Sequence, residues 1–289
     1  MRLRPLAIVV AILCFILASC SSGPTVSEGD QHFLDAKNNL KSSDFKAAFT
    51  NLSATIKSTT NPAVKQEASV LRVALVTALA AANKEMGEAY QLGAKMPAAA
   101  GHTGAFYKAR SDYYNTAHAQ LMDAMQTVMD QRAIMSDKPM VIEVVFPGFT
   151  GTNPGLNNVK SGQLIGDADR VQAELQADRD ALALVLTGMA GAKDNLNKGK
   201  GIYSTGKVEI DPRMYLLALN DSFLSTGQMF GFRGTNDPDH LATVNQVVMG
   251  NLEVVKKMLG AKPDKDLEAQ ITKEMDQISG KADKPKRGK

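Results

Sequence analysis

The 289-residue chain has no Trp, only two Cys, and aromatic residues make up just 6% of it. Cys14 and Cys20 both lie near the start, so no disulfide framework and no Cys-x-x-Cys metal site can organise a body that follows them. Neither sign of charge dominates, with 33 Lys and Arg against 30 Asp and Glu. A balance so close to neutral gives no electrostatic footprint for nucleic acid. Long hydrophobic runs are lacking too: Leu6 to Leu17 falls short of the ~20 residues a membrane-spanning helix requires. No Gly-x-Ser-x-Gly, His-Glu-x-x-His or EF-hand loop occurs, so a protein that is not an enzyme is expected, with no cofactor and no metal. What the chain does have is 44% apolar residues, enough for a sizeable core. Ala, Leu and Met, which supply much of that mass, favour helix.

The first twenty residues carry the most specific signal. Met1-Arg2-Leu3-Arg4 precedes the apolar run, and Leu17-Ala18-Ser19-Cys20 closes it with small residues, the pattern of a secretory signal. Leu17-Ala18-Ser19-Cys20 resembles the lipobox of bacterial lipoproteins. That resemblance implies cleavage before Cys20 (signal 1–19) and lipidation of the Cys20 thiol, with the membrane as a partner. Ser21 after the Cys resembles the class directed to the outer membrane, with the body facing the periplasm. Several acyl chains on one residue anchor firmly, whereas a single chain is marginal at ~0.8 kcal/mol per buried methylene. Residues 20–28 read as the lipidated Cys and a polar tether.

The body, from residue 29, reads as all-α. Phe33, Ala36 and Leu40 share one face of a helix over 30–40; Phe45, Ala48, Leu52 and Ile56 share one face of a second over 44–57. Ser43 to Phe49, with Leu52, Ile56 and then Asn61-Pro62, resembles the second helix and exit of a tetratricopeptide repeat (TPR). Ala36 and Ala48 occupy its small positions and Phe45 its aromatic one, while His32-Phe33 replaces the large aromatic expected early in the first helix. The resemblance implies antiparallel helical hairpins stacked as a short TPR-like solenoid or bundle over 29–137, each hairpin burying its face against the next. A second hairpin is expected from 62–82 and 85–95, then a long helix over 105–136 carrying Phe106, Tyr113, Ala117, Leu121, Ala124 and Val128.

Residues 138–166 break the helical pattern and form one long irregular insertion. Val141 to Phe146 is β-branched and reads as extended; Pro147 to Gly155 strings turn formers around Phe149. A loop of this length is either functional or a connector packed across helix ends, and both readings stand at this point. Residues 167–280 form a C-terminal helical region, with helices expected at 167–196, 212–229, 238–259 and 264–278. Asp211-Pro212 supplies a cap with Pro at the first helical position. Residues 281–289 read as a basic flexible tail.

Other motifs carry less. Gly201 to Val208 nearly spells a phosphate loop, but Val208 stands where Ser or Thr should hold magnesium. Ser204-Thr205-Gly206-Lys207 has the Ser-x-x-Lys spacing without its companion motifs, and reads as loop. His118, Met122, Met125 and Met129 share a helical face and offer soft ligands, yet such stripes usually fill core gaps; core is expected, while His32, His102 and His240 are scattered.

The resulting expectation is a lipid-anchored, non-catalytic helical scaffold that binds a protein partner in the cell envelope, with Phe33, Phe45, Phe49, Tyr90, Phe146 and Phe149 as candidate contacts. The alternative is a small-molecule or lipid-binding module, such as an accessory subunit of a solute-uptake system. Its pocket would lie between the helical halves, closed by residues 146–156. A deep apolar cavity beneath Phe149 would support it; a shallow polar groove would count against it.

Overall fold

The computed structural model describes residues 27–132, 135, 137–192, 206–231, 238–260 and 264–279. The signal, Cys20, most of the tether, residues 201–205, Gly234-Thr235-Asn236 and the basic tail lie outside the described residues. The fold is all-α: nine α-helices and a single two-stranded sheet among the described residues.

Helices α1 (Glu28–Ser42) and α2 (Phe45–Ser58) form the first antiparallel hairpin. Ser43 makes the reversal with φ 64°, and the Asp44 carboxylate caps α2 by accepting from the Ala47 amide at 3.0 Å. The start of α1 lies against the end of α2, because the Thr59 hydroxyl donates to the Asp30 carboxylate at 2.9 Å. Ala36 and Ala48 are fully buried where the two helices cross.

Helix α3 (Pro62–Gly93) is one continuous element of 32 residues, about 48 Å long. The break expected between 82 and 85 does not occur. Asn83 turns its amide onto the Leu79 carbonyl one turn back (2.9 Å) and onto the Gln120 side chain (3.0 Å), and Lys84 pairs with Glu88 at 2.8 Å. With neither Gly nor Pro in that stretch, two polar residues do not end a helix. The antiparallel partner of α3 is α4 (Thr103–Arg132), reached through a short 3-10 turn, Pro97–Ala99. Arg72 on α3 ties three helices, donating to Ser53 on α2 and to Asp123 and Thr127 on α4. This second hairpin is about twice as long as the first, so the array is unequal.

The insertion holds β1 (Met140–Glu143) and a short helix α5 (Pro154–Lys160). The extended expectation holds at β1, which pairs antiparallel with β2 (Lys207–Ile210), Met140 opposite Ile210 and Glu143 opposite Lys207. Ile142, Val144 and Phe146 alternate inward. Helix α6 (Asp167–Met189) opens with Asp167 and Asp169 at its positive end. Helix α7 (Pro212–Gly227) is capped by Asp211, as its sequence indicates. Helices α8 (Pro238–Met258) and α9 (Lys265–Ile278) are the last two among the described residues. Asn251 on α8 donates to Asn220 on α7 at 2.9 Å in the core.

Two hydrophobic clusters result, and α3 runs through both. The larger joins α1, α2, the first half of α3, most of α4, the ribbon, the second half of α6 and α7 to α9. The smaller joins the end of α3, the start of α4, α5 and the first half of α6. Each fully buried large side chain, such as Tyr215, Phe106 or Leu75, contributes ~1.5–3 kcal/mol by leaving water.

Candidate functional site

Where the two clusters meet, the insertion does not fill the space between the helices. A cleft of about 680 Å3 remains, lined from α3, residues 149–160, α6 and α7. Such a volume falls within the range of small-molecule sites, ~300–1,000 Å3.

The roof is held by one carboxylate. Asp180 on α6 accepts from the Thr150 amide (2.8 Å), the Gly151 amide (3.2 Å) and the Thr150 hydroxyl (3.3 Å). Gln176, one turn earlier, donates to both the Thr150 hydroxyl (2.7 Å) and Asp180 (3.0 Å). Gly151 takes φ +67°, a conformation that suits glycine, and its α-carbon lies beside the Phe149 ring. Asn153 caps α5 through the Leu156 amide and donates to the Ala173 carbonyl at 2.7 Å, fastening the far end of the roof. Phe149 is thereby placed, half-buried, over the cleft.

The walls divide by chemistry. Phe149, Leu156, Leu184 and Val185 supply apolar surface, and Leu184 is 47% exposed, unusual for a leucine on a helix facing two others. On α7, Ala218, Asp221, Ser222 and Ser225 fall at i, i+3, i+4 and i+7 and present a small, polar stripe. At one edge Glu85 and Lys160 approach to 3.6 Å. The cleft is neither purely apolar nor a shallow polar groove; it is amphipathic.

A second, smaller cleft of about 390 Å3 lies between α6, α3 and α4, lined by Asn83, Met86, Tyr113, Arg170, Glu174 and Asp178 among others. Tyr113 donates to Glu174 at 2.5 Å, and burial together with that hydrogen bond pushes the Tyr113 hydroxyl well above its ordinary pKa. Burial, helped by the Glu174 charge, raises the Asp178 carboxyl to about 7.

The six aromatic residues singled out from the sequence do not come together. Phe33, Phe45, Tyr90 and Phe146 are each 5% exposed or less. Phe33 lies under Lys37, and Tyr90 stacks on Tyr113 at 5.5 Å. In this conformation these four pack the core and present no exposed face. Phe49 is half-buried beneath the Arg72 guanidinium, 4.9 Å away. Phe149 alone of the six lines the large cleft. The methionine stripe packs as core, with Met125 fully buried and Met122 and Met129 against it. His118, at the head of that stripe, meets His240 at a ring separation of 4.3 Å beside Phe230, so these two histidines are neighbours and not scattered. Lys207, the lysine of the near phosphate loop, lies on β2 and pairs with Glu143 at 2.8 Å.

Sequence reasoning passed over Asp180, Asp221 and the Glu85 with Lys160 pair. One signal was available: the polar stripe on α7 interrupts an otherwise apolar helix at helical spacing. No family model matches the chain, and no curated protein or solved structure matches it.

Proposed function

We propose that this protein is a lipid-anchored, non-catalytic binding module of the bacterial envelope, and that its helical body takes up a small amphipathic molecule in the cleft beneath Phe149. One observation carries the reading: an irregular segment is fastened to Asp180 and Gln176 of α6 by four hydrogen-bonding contacts and still leaves a cleft of ligand size. A mere connector would gain more by collapsing onto the helices, since unfilled apolar surface forgoes dispersion contacts. The lipobox supports the anchor, with Cys20 as the lipidated residue, an outer-membrane location and a body facing the periplasm. Among the described residues no helix is long and apolar enough to cross a membrane.

The test is native mass spectrometry of the full-length lipoprotein released from membranes, beside Ala181→Trp, whose indole fills the cleft. A small molecule other than the anchor, present in the wild type and lost in Ala181→Trp, is the expected result. An empty wild type that brings down one stoichiometric protein would overturn this reading in favour of the second.

That second reading is a scaffold for an envelope protein partner. Leu92 and Met96, at the turn that leaves α3, and Leu164, in the connection between α5 and α6 whose Gly162 lies against Met96, are 46%, 39% and 45% exposed, and a protein contact there would cover them.

A further inference from the structure

The smaller cleft, between α3, α4 and α6, is lined by polar groups that, Arg170 apart, have their hydrogens already committed. Asn83 spends both amide hydrogens, on the Leu79 carbonyl (2.9 Å) and on Gln120 (3.0 Å), so only its own carbonyl oxygen remains to bond. The Thr116 hydroxyl donates to the Asp112 carbonyl at 3.0 Å and keeps its lone pairs. The Tyr113 hydroxyl donates to Glu174. Asp178, partly buried, lines the same cleft and accepts from no donor among the described residues. A carboxylate drawn out of water without gaining a donor costs free energy, which a donor arriving from solution would recover.

The charges point the same way. Asp112, Glu174 and Asp178 line the cleft against Arg170 alone. Arg170 is exposed, 2.9 Å from Asp167 and 3.9 Å from Glu174, and Asp112 is paired with Lys108 at 2.9 Å. Helix α3 brings no charged side chain to this cleft, and α7 brings no residue to it. An anionic ligand would enter against three carboxylates. Among the described residues no three His, Cys, Asp or Glu side chains converge to hold a metal ion. Ala82, Met86, Ala109 and Val171 supply an apolar surface suited to a hydrocarbon, and about 390 Å3 is room for a small molecule.

We propose that this cleft is a second binding site, separate from the one beneath Phe149, and that it takes a small organic ammonium ion: its N–H groups donate to Asp178 and to the Asn83 and Thr116 oxygens, and its hydrocarbon end lies against Met86 and Val171. The ammonium needs Asp178 ionised, and burial together with Glu174 holds that carboxyl at about 7. Amine affinity should therefore fall about tenfold from pH 8 to pH 6, as the ionised fraction does.

The experiment uses the full-length lipoprotein, methyl-labelled at methionine, in phosphatidylcholine nanodiscs, with three probes of like tail: isopentylamine, isopentanol and isovalerate. Met86 lines this cleft and no Met lines the larger one, so the Met86 methyl resonance, assigned by its loss in Met86→Leu, reports binding here. At pH 8 the amine is expected to bind about tenfold or more tighter than the acid, with the alcohol between them. Asp178→Asn should lower amine affinity about tenfold, abolish its pH dependence and leave the alcohol unchanged. Val171→Trp, at an exposed position on the lining, should block all three probes and provides a variant independent of Asp178; Ala181→Trp, in the larger cleft, should block none. Acid binding as tight as the amine, an amine affinity that Asp178→Asn leaves unchanged, or a Met86 methyl that responds to no probe would each overturn the proposal. Loss of amine binding in Ala181→Trp would overturn it as well, by placing the amine in the larger cleft, whose own reading would then stand.

Discussion

Two carboxylates on α6, two residues apart, sit in opposite circumstances. Asp180 is surrounded by donors; Asp178 faces the smaller cleft beside Glu174 and has no hydrogen-bond donor among the described residues. Its carboxyl, normally near 3.8, is held at about 7 by burial first and by Glu174 second. A group with a higher pKa in the folded state gives its full stability below the unfolded value, and that stability is lost as pH rises through the folded value. Asp178 therefore costs the fold stability increasingly between about pH 4 and pH 7. At ~1.4 kcal/mol per pH unit the ceiling is ~4 kcal/mol, and water reaching the group through the cleft reduces it to ~2 kcal/mol. Asp178→Asn, neutral throughout, should be more stable than the wild type by that amount at pH 8 and no more stable at pH 4. Urea denaturation at the two pH values checks it, and an unchanged difference between them would refute the assignment. For Asp180→Ala the expectation is opposite in kind: ~1–2 kcal/mol of stability lost and faster hydrogen exchange at the Thr150 and Gly151 amides, with the other helices unaffected.

At the scale of elements, reading the sequence worked where periodicity is strong and failed where polarity was taken for punctuation. The cap at Asp211-Pro212 lies where its residue types indicate, and α2 and α3 begin within a residue of the expected starts at Asp44 and Pro62. The strand at Met140–Glu143 follows from its β-branched run. Asn83-Lys84 misled because the partners that keep α3 intact, Gln120 above all, lie far along the chain. The α3–α4 interface also depends on Gly87, whose α-carbon faces the Tyr114 ring so closely that an added Cβ would lie 2.5 Å from it. Gly87→Ala is expected to cost ~1–3 kcal/mol despite the better helix propensity of Ala, because the ring must shift within a packed core. Thermal unfolding measures the loss. Placed on a Tyr114→Leu background the same substitution should cost less than half as much, and an equal cost there would mean the ring is not the cause.

Over the whole molecule, the all-α class and the position of the insertion were legible, while the cleft was not. A cavity assembled from α3, residues 149–160, α6 and α7 depends on how two hydrophobic clusters fail to merge, and no local pattern encodes that separation. Phe149 could be singled out as an aromatic among turn formers; Asp180, its anchor, looks in sequence like any acid on a helix face. The proposed attachment to the membrane is the reverse case, resting on 20 residues of sequence that lie outside the described structure. The described body begins at Ser27, whose hydroxyl caps α1 by accepting from the Asp30 amide at 3.2 Å. Cys20→Ser is therefore expected to leave the folded body and its thermal midpoint unchanged while removing the lipid. Fractionation of cells should find the wild type with membranes, released by detergent and not by salt, and Cys20→Ser in the soluble periplasmic fraction. Retention of Cys20→Ser in the membrane fraction through a high-salt wash would show that the signal stays uncleaved or that the body itself binds lipid, and the lipoprotein assignment would then fail while the cleft, tested separately by its ligand, would remain.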